Sequence, residues 1–264
     1  PDASYPEGPL FVGDALYYGE MGADRVSVYE HGVKRTFFRE EGCGPTALTP
    51  YRDGFAILCH LGGEIVAVDA RGKVTARFGK GKLRDPNDGY EDGNGGLYFS
   101  DPGIFSKESS PEGLVYHLTK EGALTVAARD LWYPNGVYIE KGAVFVSETF
   151  ERKVWRYSVG ADGALTNKTL FFDVDKAPKP RRHYREAGPD GLERGPNGEM
   201  IVAVYGEGRL LRIGPDGKYR GAIETPFDYV DNIAFGAPGA VIVGAYDNIN
   251  PPLRGEVRWW KPSP

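Results

Sequence analysis

One unit recurs along the chain and constrains the fold more than any other feature. It runs from a turn-forming opening through an apolar strand, a turn and a second strand such as LYFSD or VFVSE. A loop, a third strand such as KVWRY or RLLRI, a Gly turn and a fourth strand complete it. The openings are Glu7-Gly8-Pro9, Cys43-Gly44-Pro45, Pro86-Asn87-Asp88-Gly89, Pro134-Asn135-Gly136, Pro189-Asp190-Gly191 and Val230-Asp231-Asn232. With Gly8, Gly44, Asn87, Asn135, Asp190 and Asp231 as markers, the units follow one another at 36, 43, 48, 55 and 41 residues. Four short strands per unit, six times over, predict one all-β domain across residues 1–264: a six-bladed β-propeller with four-stranded antiparallel blades around a central channel. The last unit offers three strands, so the segment around residues 3–5 is expected to supply the fourth and close the ring.

Composition agrees with that reading. The 37 Gly and 20 Pro argue against long helices, while 16 Tyr, 13 Phe and 4 Trp supply core material. A net charge of −5 gives no general attraction to nucleic acid or to an anionic membrane, so neither is an expected partner. No run of 18 apolar residues occurs. Cys43 and Cys59 lack metal-knuckle spacing, so reduced thiols and a cytoplasmic setting are expected. A Cys43–Cys59 bridge stays open, as do periplasmic or secreted settings should the N-terminus be processed.

In a propeller the first strand of each blade lines the channel, so residues that open different blades converge at one mouth. Glu7, Asn87, Asn135 and Asp190 bring four side-chain oxygens there, each with a Gly one or two positions on. Two carboxylates and two amides suit one hard divalent cation. Asn-Gly and Asp-Gly are also common hairpin turns. The chain carries its own control in Pro196-Asn197-Gly198 and Pro215-Asp216-Gly217, which stand between paired strands and are read as turns. Asn135 and Asp190 open their units after a loop, where a turn is not required.

Those openings, with Leu97-Tyr98-Phe99-Ser100-Asp101-Pro102 in the third unit, resemble the gluconolactonase/regucalcin (SMP-30-like) family of six-bladed propellers over nearly the whole chain. The resemblance implies one divalent ion held by Glu7, Asn135 and Asp190; the oxygen donors alone permit calcium, manganese, magnesium, iron(II) or zinc. Asn87 would be a further ligand or substrate contact, and Asp190 the acid/base. It implies a lactonase that opens a sugar lactone to the aldonic acid; a monomer or weak homo-oligomer is expected. Where family members carry an arginine two residues before the third-unit Asn, this chain has Asp85, with Arg84 one further back. The second opening offers no oxygen side chain, and Asn232 stands where relatives often carry an Asn near the substrate.

A lactone is an ester, and its opening needs a polarised carbonyl, an activated water and a proton for the leaving alkoxide. No Gly-x-Ser-x-Gly elbow is present to favour a serine mechanism. Tyr90, Asp101, Glu148 and Tyr205 are candidates to read substrate hydroxyls, and His60 could line the channel mouth. The segments 101–113 and 173–188 are long enough for lids. The second is basic, and its Arg182 is a candidate contact for an anionic or polyhydroxylated substrate. Rival readings are hydrolysis of phosphotriesters or fluorophosphates, hydrolysis of simple aliphatic or aromatic lactones, and a non-enzymatic calcium-binding propeller.

Overall fold

A computed structural model describes residues 2–237, 239–246 and 254–260. The described residues form six four-stranded antiparallel sheets with only two short 3-10 turns, so the chain is a six-bladed β-propeller. Five sheets are continuous in sequence: the first spans residues 6–39, the second 45–78, the third 89–131, the fourth 134–173 and the fifth 188–224. Blade 6 holds Tyr229–Gly236, Gly239–Ala245 and Arg254–Trp260, with Asp2–Ser4 as its outermost strand. The pairings Asp2↔Glu256 and Ser4↔Arg254 close the ring with the N-terminal segment, as expected from the sequence.

The strands alternate as sheets buried on both faces require, and the apolar residues gather at the seams between blades. Phe145, Val154 and Phe172 of blade 4 pack on Leu192, Val202 and Leu211 of blade 5. Leu16 and Tyr18 of blade 1 pack on Val241 and Val243 of blade 6. Equivalent clusters fill the other four seams, so each blade buries both faces against neighbours and none has a core of its own.

One irregularity repeats and positions the channel residues. The register of the innermost strand slips between Glu7 and Leu10, Pro45 and Ala47, Pro134 and Val137, Pro189 and Leu192, and Val230 and Asn232. A bulge of this kind re-aims one side chain out of the alternation. The bulges leave little room between blades. A Cβ on Gly136 would lie 2.3 Å from the Asp190 carbonyl oxygen, and one on Gly8 2.3 Å from that of Thr46, so both positions require glycine.

The expectation of reduced cysteines is corrected. Cys43 and Cys59 form a disulfide, with Cα atoms 4.5 Å apart. Pro45 pairs directly with Cys59 across the first two strands of blade 2, which brings the bridge partners together.

Candidate functional site

Glu7, Asn87, Asn135 and Asp190 line one cavity of about 210 Å3 at the channel mouth, together with Tyr5, Met21, Thr46, His60, Phe105, Tyr133, Thr149 and Tyr205. Neighbouring blades fix the backbone of three of these openings. Thr46 Oγ1 donates to the Asn87 carbonyl at 2.8 Å, Ser100 Oγ to that of Asn135 at 2.7 Å, and Ser147 Oγ to that of Asp190 at 2.6 Å. Each hydroxyl belongs to one blade and each carbonyl to the next, so the channel residues are placed relative to one another.

A second set of contacts holds the chain just upstream. Tyr5 and Tyr133 stand two residues ahead of Glu7 and Asn135, each before a proline, with left-handed φ of 52° and 62°. The preceding residue is tied by its N–H to a buried carboxylate at the end of the second strand. Ser4 N–H donates to Glu20 at 3.1 Å and Trp132 N–H to Glu148. In blade 3, Arg84 and Asp85 N–H donate to Asp101 at 3.1 and 2.7 Å. These latches hold Tyr5 and Tyr133 in their strained conformation with the rings over the cavity.

The electrostatics are those of crowded, buried carboxyls. Burial, then Asp231, Asp190 and Asp88, push the Glu7 carboxyl well above the usual range. Burial and then Asp88 do the same to Asp190, and burial and then Asp190 to Asp231. Asp231 is fully buried, and neither of its oxygens has a hydrogen-bond donor. A cation would relieve both the mutual repulsion and these orphaned oxygens. Among the described residues no three His, Cys, Asp or Glu side chains gather as a ligand group, so the amides of Asn87 and Asn135 are needed to complete a donor set. Two carboxylates and two amides facing one cavity fit a hard divalent ion.

Other residues singled out in the sequence are placed elsewhere. His60 lines the cavity, and burial pushes its imidazole pKa down against the opposing pull of Asp85. Asp101 and Glu148 face away from the cavity as latch carboxylates, and Glu148 also accepts from Trp155 Nε1 at 2.6 Å. Arg84 is engaged by Glu112 at 2.9 Å. Tyr90 and Asn232 line a different cavity, at about 260 Å3, with Asp88 and Glu193. In the basic segment 173–188, Arg182 pairs with Asp228 at 2.6 Å and Arg185 with Glu108, while His183 meets Glu207 at 3.0 Å. None of that segment lines the 210 Å3 cavity, whereas the 101–113 segment supplies Phe105. Phe105 packs on Tyr133, Phe150 and Tyr205 at centroid distances of 4.9, 5.3 and 5.6 Å.

Sequence reasoning missed the site partners Thr46 and Asp231. Both follow from aligning the openings by register: Pro45 faces Cys59 as Pro6 faces Glu20, and Val230 faces Gly244 as Pro189 faces Val204. The next residue in each is then Thr46 or Asp231, equivalent to Glu7 or Asp190. Blade 2 does present an oxygen to the channel, and in blade 6 the channel-facing residue is Asp231, not Asn232.

Comparison with known proteins extends these observations. A family model described as "SMP-30/Gluconolactonase/LRE-like region" matches residues 5–242. A gluconolactonase of Zymomonas mobilis is 25% identical, over 94% of this chain and 78% of its own length. The lactonase drp35 of Staphylococcus haemolyticus is 26% identical, over 83% of this chain and 69% of its own. The structure of regucalcin from Agrobacterium tumefaciens, described as a calcium-binding protein, superposes with a TM-score of 0.75. It is 20% identical, covering 98% of this chain and 91% of that one.

Proposed function

Because the chain belongs to the SMP-30/gluconolactonase/LRE-like family, we propose that it is a metal-dependent lactonase that opens a sugar lactone to the aldonic acid. The observation that carries the reading is the convergence of Glu7, Asn87, Asn135 and Asp190 on one cavity, with the unpartnered carboxylate of Asp231 acting on Glu7 and Asp190. Gluconolactonase and lactonase relatives support lactones as the substrate class.

Glu7, Asn135 and Asp190 would hold the divalent ion, with Asn87 as a fourth donor. When bound, such an ion supplies Lewis acidity that polarises a carbonyl and eases deprotonation of water. Asp190 takes the proton of the attacking water and returns it to the ring oxygen as the alkoxide leaves. Thr46, Ser100 and Ser147 keep the ligand-bearing backbone in place through the carbonyls they hold. The buried Tyr5, Tyr133 and Tyr205 narrow the mouth and exclude water around the reacting ester. The Tyr5 and Tyr133 hydroxyls stay protonated, since burial followed by nearby carboxylates raises both far above the normal phenol range. The Tyr133 hydroxyl is therefore available to donate to a lactone oxygen, whereas that of Tyr5 donates to the Tyr205 hydroxyl at 3.4 Å.

A second reading, a lactone with an apolar alkyl or aryl portion, is favoured by Phe105, Met21 and the tyrosine faces, which make one side of the cavity apolar. Acid release by a pH indicator separates the two. Aldonolactones, simple aliphatic and aromatic lactones and a phosphotriester are offered to the wild type with and without chelator, and to Asp190→Ala. Aldonolactone turnover that falls at least on the order of 10³-fold in both treated samples is expected. Lactone hydrolysis at the wild-type rate after chelation and in Asp190→Ala would sink the metal mechanism. Faster turnover of apolar lactones would move the substrate to the second reading.

A further inference from the structure

The latches described above recur at equivalent positions, and blade 2 breaks the chemical pattern without breaking the geometry. In blades 1, 3 and 4 the residue three before Glu7, Asn87 or Asn135 is tied to a carboxylate at the end of the second strand. The residue three before Thr46 is Cys43, and the residue facing Pro45, where Glu20 faces Pro6 and Glu148 faces Pro134, is Cys59. Gly44 then takes the left-handed φ of 50° at the place of Tyr5 and Tyr133. The disulfide thus stands where the other blades have a carboxylate. A carboxylate at position 59 would find no free donor, because Cys43 N–H is bonded to the Glu40 carbonyl at 3.2 Å and Gly44 N–H to Asp24 Oδ1 at 2.8 Å. A covalent bond meets the same positional need without a donor.

We infer that the Cys43–Cys59 disulfide is a positioning element of the channel site, the blade 2 counterpart of the Glu20, Asp101 and Glu148 latches. The path is short. The bridge fixes the 43–45 elbow, the elbow fixes Thr46, and the Thr46 hydroxyl holds the carbonyls of Asn87 at 2.8 Å and Pro86 at 3.2 Å. Gly44 also accepts from His60 N–H at 3.2 Å, so the placement of His60 depends on the same elbow. Asn87 and His60 both line the cavity. Blade 3's contribution to the site is therefore set by a bond in blade 2. Cleavage by a dithiol, which gives two electrons and two protons to the cysteine sulfurs and leaves as a cyclic disulfide, would loosen that contribution while leaving the seams that the bridge does not enter packed.

The inference rests on the channel cluster being the ligand site, and its test separates the two ideas. Hydrogen exchange is followed by mass spectrometry, and calcium and manganese affinity by calorimetry, for four samples. These are the wild type, Cys43→Ala/Cys59→Ala, Thr46→Val with the bridge intact, and wild type reduced with dithiothreitol and freed of reductant; the last is measured again after reoxidation, and Thr46→Val is also combined with the double variant. Exchange in the 43–46 and 84–88 segments is expected to rise about tenfold in the double variant and the reduced sample, with the seams of blades 4 and 5 unchanged. Ion affinity is expected to fall about tenfold in both and in Thr46→Val, with recovery on reoxidation. Adding Thr46→Val to the double variant should cost little more, since both act through one contact. Unaltered exchange in the 84–88 segment on loss of the bridge overturns the inference, as does a uniform rise across all blades. If the wild type binds neither ion, the metal reading fails and the exchange comparison still decides the role of the bridge.

Discussion

The two cavities show how one set of strands serves opposite purposes on alternate residues. Asn87 lines one and Asp88 the other, while Asp231 is buried beside Glu7 and Asp190 and Asn232 reaches the second cavity. Both cavities are acidic, yet their carboxylates differ in what surrounds them. In the second, Asp88 accepts from Gly89 and Val137 N–H at 2.8 and 3.3 Å, Asn232 from Ile233 N–H at 2.8 Å, and Glu193 from Arg194 N–H at 2.7 Å. Burial, opposed by those N–H groups, pushes Asp88 and Glu193 up to about 7, where a proton suffices to neutralise them. At the mouth, Asp231 has no donor at all, and Glu7 and Asp190 crowd against it. Unmet oxygen, more than acidity, distinguishes the end where a cation would be stabilised.

Substitution at matched positions tests the contrast most directly. Glu7→Gln should weaken divalent-ion binding on the order of 100-fold by calorimetry, and Glu193→Gln in the second cavity by less than about twofold. Equal losses from both would erase the distinction between the two ends.

A smaller effect separates the mouth from its supports. Burial opposes ionisation of Glu20, but hydrogen bonds from Arg25, Lys34, Ser27 and Ser4 N–H outweigh it and hold the carboxyl down to about 2. A depressed folded-state pKa means that Glu20 contributes stability above its unfolded pKa of about 4.5, and that this contribution is lost as pH falls towards about 2. Urea unfolding between pH 6 and pH 2.5 should show a shallower acid decline in Glu20→Gln than in the wild type. Parallel curves would mean that the latch contributes no pH-dependent stability.

The smallest change is expected outside both cavities. Arg182 is already paired with Asp228, so Arg182→Ser should alter KM by less than about twofold, with no dependence on ionic strength. A larger, salt-sensitive rise in KM would restore the basic segment as a lid.

Much of the site was legible from repeat position alone. Glu7, Asn87, Asn135 and Asp190 were found because each opens a unit, and they meet although they come from four blades. Asp101 and Glu148 were also visible as polar residues near the channel. Their direction was not, because it depends on which backbone N–H groups the preceding loop presents. Asn232 rests on the family resemblance alone; that Asp231 takes the place of Asp190 follows from a bulge, which shifts the face of a strand by one residue and carries no composition of its own.

The sequence by itself determined the number of blades, the closure by the N-terminal strand and the channel donors, because these follow from local turn chemistry repeated at a near-constant interval. Only the tertiary structure decided that Cys43 and Cys59 bond, that Thr46 reaches across to the next blade, and that Asp231 is left without a donor. The first two are contacts between a residue and a neighbour 16 or 41 positions away, and the third depends on what the packed blades fail to bring to a buried carboxylate. Distance and orientation across a seam are properties of packed sheets, and no local pattern encodes them.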